Sequence, residues 1–382
     1  MKYKLSEICT LRKDKVDVKS LTFETYISTE NMLPNKGGVI KATSLPGVLT
    51  TQKFRCGDIL VSNIRPYFKK IWKAKFDGGC SNDVLVFESR PNTDQDFLYY
   101  ILSNDAFFAY SMASSKGTKM PRGDKKSMMQ YEVPAFDLVL QKKIAHILLS
   151  IDNKIELNKK INDNLEQQAQ ALFQKLFVQN SDIKWRKGTV SDLGTVIGGS
   201  TPSKSKPEYY TEHGIAWITP KDLSLNKFKF ITHGENDITE LGLMNSSASI
   251  MPEGTVLFSS RAPIGYIAIA AGEVTTNQGF KSVIPKPEIG TPFVYYFLKN
   301  ALPTIEGMAS GSTFKEVSGS TMKNVPAFIP NNETIAKFND FCIPLFSQQQ
   351  MLERQNQSLA MLRDSLLPKL MSGKIDVSYG SI

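Results

Sequence analysis

The chain has 382 residues, 41% of them hydrophobic, and carries 46 Lys and Arg against 37 Asp and Glu, for a net charge of +9. That length exceeds one ordinary core and suits two domains of roughly 140 residues plus connecting elements. No apolar run approaches the roughly 20 residues that span a bilayer, and the opening MKYKLSEICTLRKDK lacks the apolar stretch of a secretory signal, so no membrane-spanning helix and a cytoplasmic location are expected.

Residues 1–138 read as a mixed, strand-rich domain. Short β-rich runs at 59–62 and 84–87 sit among Gly, Pro, Asn and Asp, and one helix is expected over 96–110. After the first run, Arg65, Tyr67, Lys69, Lys70, Trp72, Lys73 and Lys75 interleave cations with aromatics, and a second basic loop carries Lys116, Lys119, Arg122, Lys125 and Lys126. Long cationic side chains on loops suit phosphate contacts, and arginine also matches the edge of guanine; the alternative is a solvated lysine-rich face. The charge is uneven. Residues 1–180 hold 27 Lys and Arg against 19 Asp and Glu, and the remainder only 19 against 18. Such a balance favours a polyanionic partner such as nucleic acid.

Residues 139–180 carry a heptad seam. Ile144, Leu148, Ile151, Ile155, Asn158, Asn162, Leu165, Ala169, Leu172 and Leu176 alternate steps of four and three, which predicts a long amphipathic helix.

Residues 181–330 repeat the first domain. GDILVSNIRP at 57–66 returns as GTVLFSSRAP at 254–263, YYILSN at 99–104 as YYFLKN at 295–300, and VPAF at 133–136 as VPAF at 325–328. The offsets of 197, 196 and 192 drift as they do when surface loops gain and lose residues. Strands are expected at 256–259 and 266–270 and a helix over 292–302. The candidate contact residues here are polar: Ser200, Thr201, Ser203, Lys204, Lys206, Tyr209 and Tyr210 in one loop, Thr275, Thr276, Asn277 and Gln278 in another, Ser310, Ser312, Thr313 and Lys315 in a third, together with Lys221 and Arg261. Ser, Thr, Asn and Gln can donate to phosphates or read base edges, although ordinary turns also use them.

Residues 331–382 close the chain with a second seam, 194 residues on from the first: Phe338, Cys342, Leu345, Gln349, Leu352, Asn356, Leu359, Arg363, Leu366 and Leu370. Two matched seams after two matched domains are most economically buried against each other, which predicts an antiparallel coiled coil, and the duplication predicts a pseudo-twofold. Its polar seam residues would set register and orientation. A helix of roughly 33 residues spans about 50 Å, enough to hold two α+β domains apart. Pro368 is expected to kink or end the second helix.

Catalytic signatures are missing. GGSTPSKS at 198–205 resembles a phosphate-binding loop but has Ser203 where the second glycine belongs and loses a backbone N–H at Pro202. His146, His213 and His233 are isolated. Cys9, Cys56, Cys80 and Cys342 form no C-x-x-C pair, so neither a metal nor a redox site is expected and the thiols should be reduced. No Gly-rich cofactor loop or Asn-Pro-Pro-aromatic motif of a base methyltransferase occurs, and Asp152-Asn153-Lys154 lies on the helix.

In order of parts and in local strings the chain resembles the specificity subunits of type I restriction-modification systems, over nearly its whole length. GGSTPS at 198–203, PEYY at 207–210, IAWITPKDL at 215–223, TNQGFKSVIP at 276–285 and LRDSLLPKLMSGKI at 362–375 carry the resemblance. The first domain lacks the GGSTP-type loop and has RKDKVDVKS at 12–20 instead; its residues 26–30 correspond to 217–221. The resemblance implies a non-enzymatic subunit with two target recognition domains, each reading half of a split double-stranded DNA target, and paired helices that set the gap. It also implies docking of two methyltransferase subunits, which hold S-adenosylmethionine, and of restriction subunits that use ATP and Mg. A structural adaptor for protein partners, its charge incidental, is the rival of another class.

Overall fold

A computed structural model describes residues 2–115, 117, 119–180, 185–311 and 315–377. The chain divides into two compact units, Met1–Ile155 with Ser358–Ile382, and Glu156–Gln357.

In the first unit Lys2–Lys4 pairs antiparallel with Glu132–Pro134, so the domain closes its first strand on its last just before the long helix begins. One four-stranded sheet runs in the order Cys9–Leu11, Val84–Ser89, Ile59–Ser62, Ile71–Lys73, and a second in the order Lys15–Asp17, Thr50–Phe54, Gly78–Cys80, Tyr26–Ile27. Ile59–Ser62 is central, and all four of its residues are buried. This explains why it reads as a continuous apolar run rather than an alternating one.

The second unit repeats the plan. Arg186–Thr189 pairs with Pro326–Ile329, the five-stranded sheet places Val256–Ser260 at its centre, and Thr275–Thr276 lies parallel to Ile215–Ile218. The counterpart of this last pair is Gly78–Cys80 beside Tyr26–Ile27: Trp217 faces Thr275 as Tyr26 faces Gly79. In strand register, residues 26 and 27 therefore correspond to 217 and 218.

Two sequence expectations need correction. The single helix expected in each domain is a pair, Gln95–Ser103 with Asp105–Ala113 and Thr291–Asn300 with Leu302–Met308. In the first pair Asn104 takes an extended backbone and its side chain accepts from the Ala106 N–H, an N-cap that ends one helix and starts the next. Pro368 does not end the second long helix, which runs through Asn332–Met371.

Each unit contains a part of both long helices. The first helix, Leu138–Phe173, continues as a π-helical segment, Gln174–Gln179. In the first unit Ile144 and Leu148 enter the core with Phe97, Ile101, Leu367 and Leu370, Leu366 packs at its edge, and Ile151 and Ile155 are buried. In the second unit Leu165, Leu352 and Phe338 are buried, Leu172, Leu176 and Leu345 are partly buried around the main core, and Leu359 of the first unit is half-buried. Larger side chains that the heptad reading passed over, Phe173 and Phe346, do much of the filling. Phe173 and Phe338 meet edge to face with centroids 5.6 Å apart, a geometry worth about 0.5–1.5 kcal/mol beyond burial. Asn158 is fully buried and donates to Gln355 at 2.7 Å and to Asn356 at 2.9 Å. Gln349 donates to the Asn162 carbonyl at 3.2 Å. The polar seam positions thus partner one another across the two helices within this unit.

Candidate nucleic-acid interface

In each unit the same two backbone hydrogen bonds gather three loops at one end of the central strand. Asn63 N–H donates to Asp83 O at 2.8 Å and Gly123 N–H to Asn63 O at 3.1 Å; in the second unit Ser260 N–H donates to Gly279 O at 2.7 Å and Val317 N–H to Ser260 O at 3.0 Å. The strand entry is duplicated as well, with Gly57 at φ 91° and Gly254 at φ 85°, and so is the exit, with Arg65 at φ 50° and Ala262 at φ 51°. A left-handed non-glycine costs roughly 1–2 kcal/mol and persists only where its surroundings over-determine it. Both repeats keep it at the residue before the proline.

The clasp unites loops that are far apart in sequence. In the first unit Arg65 N–H donates to Pro121 O at 2.8 Å and Ile64 bridges to Arg122, so the candidate basic loops at 65–70 and 119–126 form one surface. Its cations differ in freedom. Lys69 donates to Asp105 at 2.8 Å, Arg122 pairs with Asp83 at 3.2 Å, and Lys73 pairs with Asp96. Lys125 and Lys126 are exposed and form no ion pair among the described residues, whereas Asp124 caps their short helix by accepting from Ser127 N–H. Lys70 reaches the Thr29 carbonyl at 2.6 Å, and burial together with the nearby Arg65 holds its pKa below that of a free lysine. Arg65 Nε is buried without a hydrogen-bond partner. Positive charge here is left partly unneutralised. Trp72 belongs elsewhere: it is 8% exposed and packs on Phe54 and Phe76, so the run after residue 70 is strand rather than contact loop.

In the second unit the GGSTP loop and the TNQG loop lie together. Ser200 N–H donates to Thr276 O at 2.9 Å, Thr201 hydrogen-bonds Gln278, and Trp217 Nε1 donates to Ser200 O at 3.0 Å. Gly199 is required for this approach, because a Cβ there would lie 2.1 Å from the Asn277 carbonyl oxygen. Ser203, Lys204 and Gln278 present side chains outward. Asn277 is half-buried and its Oδ1 accepts from Gly279 N–H, which shapes the turn. Tyr209 is 6% exposed, so it supports the loop from beneath, with Lys206 over its ring. Lys221 pairs with Glu235 at 2.5 Å and Arg261 with Glu316 at 3.3 Å. Arg261, Ile264, Glu306, Lys315 and Glu316 line an open groove of about 640 Å³. Lys116, Ser312 and Thr313 lie outside the described residues.

The sequence model for the type I restriction modification DNA specificity domain matches twice, over residues 1–167 and 182–360. The chain belongs to that family. The HindI specificity subunit of Haemophilus influenzae is 26% identical across 98% of this chain and 99% of its own length. The MjaIX specificity subunit of Methanocaldococcus jannaschii is 40% identical over 179 residues, 44% of this chain and 41% of the relative. In fold, the crystal structure of a type I restriction-modification S subunit from M. genitalium superposes with a TM-score of 0.60 at 19% identity, covering 99% of this chain and 96% of that one.

For a DNA specificity protein, the features that sequence reading missed are those that aim the loops. The clasp uses backbone groups, which carry no side-chain signal, and the counter-ions Asp105, Asp83 and Glu316 lie 36, 39 and 55 residues from Lys69, Arg122 and Arg261. The repeated G-x8-P spacing (Gly57 to Pro66, Gly254 to Pro263) was the one signal that marked the clasp.

Proposed function

We propose that this chain is the DNA-reading subunit of a type I restriction-modification complex, with one recognition domain per half of a split target. The observation that carries this reading is the duplicated three-loop clasp, which presents a cationic, aromatic surface in one unit and a Ser, Thr and Gln surface in the other. Equivalent scaffolds with different side chains suit two different half-sites. Phosphate contacts from the exposed lysines supply affinity, and the polar loop side chains discriminate between bases.

The chain acts without catalysis of its own. Two methyltransferase subunits dock on it, bring S-adenosylmethionine and extrude the target adenine, and restriction subunits supply ATP- and Mg-dependent activity. Its place is the cytoplasm, in keeping with the absence, among the described residues, of any helix long and apolar enough to cross a membrane. Expressing the chain with its methyltransferase partner and mapping methylated adenines across a genome tests the proposal. A motif split by a fixed gap is expected; scattered or absent methylation, or an unsplit motif, would refute it.

A further inference from the structure

We infer that Tyr67 and Phe68 form an aromatic wedge that enters the DNA stack and distorts the half-site bound by the first unit. This rests on the DNA-reading role and goes beyond it, because it assigns part of the recognition to deformation of the duplex.

Both rings are exposed, Tyr67 by 49% and Phe68 by 38%, and lie against each other with centroids 4.6 Å apart. They sit on a single 3-10 turn, Pro66–Phe68, bounded on both sides by left-handed residues, Arg65 and Lys69. A second left-handed pair, Asn35 and Lys36, braces it from below: Asn35 N–H donates to Phe68 O at 2.8 Å and Lys36 N–H to Lys69 O at 2.9 Å. Lys36 and Lys69 are then tied to the same carboxylate, Asp105, at 3.0 and 2.8 Å. Four of the five left-handed non-glycine residues among those described thus converge on this turn. Strain concentrated in this way is kept where a segment must hold a fixed shape, and the result is two apolar rings held outward on a rigid support.

The surroundings favour a polyanion. Arg65 and Lys70 flank the rings, Lys70 lies over Phe68 at 5.7 Å, and the clasp brings Arg122 to the same surface. Apolar side chains amid cations are the arrangement by which proteins part a base step while neutralising the phosphates beside it. Among the described residues, the second unit has no such projection. At the repeat position, Ala262-Pro263-Ile264 borders the groove along Arg261 and Glu316, so the equivalent loop is concave.

The test uses the full chain with its methyltransferase partner and duplexes containing the mapped target, with 2-aminopurine placed at successive positions of each half-site other than the adenine that the methyltransferase extrudes and the bases beside it. In the wild-type complex, emission should rise several-fold at one step of one half-site and stay low in the other. Tyr67→Ala/Phe68→Ala should abolish that rise and weaken specific binding about tenfold. Tyr67→Phe/Phe68→Tyr should restore the rise. No rise in a wild-type complex that binds its target specifically would overturn the wedge and leave the DNA-reading role standing, as would a rise that survives the alanine pair. Loss of methyltransferase assembly with DNA distortion intact would assign the rings to a protein contact and refute the wedge. A chain that binds no DNA would refute both.

Discussion

Tyr296 donates a 2.8 Å hydrogen bond to Glu166, and this pairing breaks the symmetry of the repeat. Its counterpart Tyr100 donates at 2.6 Å to Asp152, which Arg363 also holds at 2.8 Å. The repeat equivalent of Asp152 is Phe346, whose ring lies 6.0 Å from that of Tyr296. With a ring where the carboxylate would be, the second unit takes its acceptor from Glu166. There Lys229 is buried against Tyr295, Tyr296 and Phe346 and pairs with Glu166, while Glu353 accepts the Lys229 and Phe230 N–H groups at 2.9 and 3.1 Å.

This cluster makes the second unit acid-sensitive. Burial works against the Glu166 charge, but Lys229 and Lys299 outweigh it and bring the pKa from 4.5 to about 2. Because the folded state retains this charge, its contribution of roughly 3 kcal/mol is complete above pH 4.5 and falls away as pH drops toward 2. Urea midpoints measured across that window should decline in the wild type. Glu166→Gln should be less stable at neutral pH and lose most of the decline; an unchanged slope would exclude Glu166 as its source.

Asn158 should matter for stability beyond its size. Asn158→Ala removes the donor to Gln355 and Asn356 and strands the buried Asn356 oxygen in the seam, at a cost of about 1–3 kcal/mol. Chemical denaturation reads this directly, and a change below about 0.5 kcal/mol would mean that water replaces the side chain.

Freedom from counter-ions ranks the lysines. Lys125→Ala/Lys126→Ala should lower the slope of log affinity against log salt by about 1.8, and Lys69→Ala, already paired with Asp105, should change it less. Titrations of a target duplex at several salt concentrations decide between them; equal effects would refute the ranking.

Gly199→Ala should separate the GGSTP loop from the TNQG loop, since the new methyl group would collide with the Asn277 and Thr276 carbonyls. Methylation should then relax at one half of the target and remain strict at the other. Intact specificity at both halves would remove this loop from the reading surface.

A change in spacer length has to involve both helices, because Asn158 with Asn356 and Gln349 with Asn162 lock them together in the second unit. Inserting four residues after Ile155 and four before Ser358 adds about 6 Å to each and should lengthen the unread gap by about two base pairs with both half-sites preserved. Methylation mapping that returns the original gap would contradict a ruler role.

What the sequence determined by itself was everything with a local period or a repeated string: the duplication, the central strands, both heptad helices and the family. These signals survive because strand and helix periodicity are written in neighbouring residues. Tertiary structure alone decided which loops meet, that Trp72 and Tyr209 face inward, that Lys69 and Arg122 are neutralised, and that Tyr296 finds Glu166. Those outcomes depend on backbone hydrogen bonds and on carboxylates tens of residues away, which only folding brings within reach.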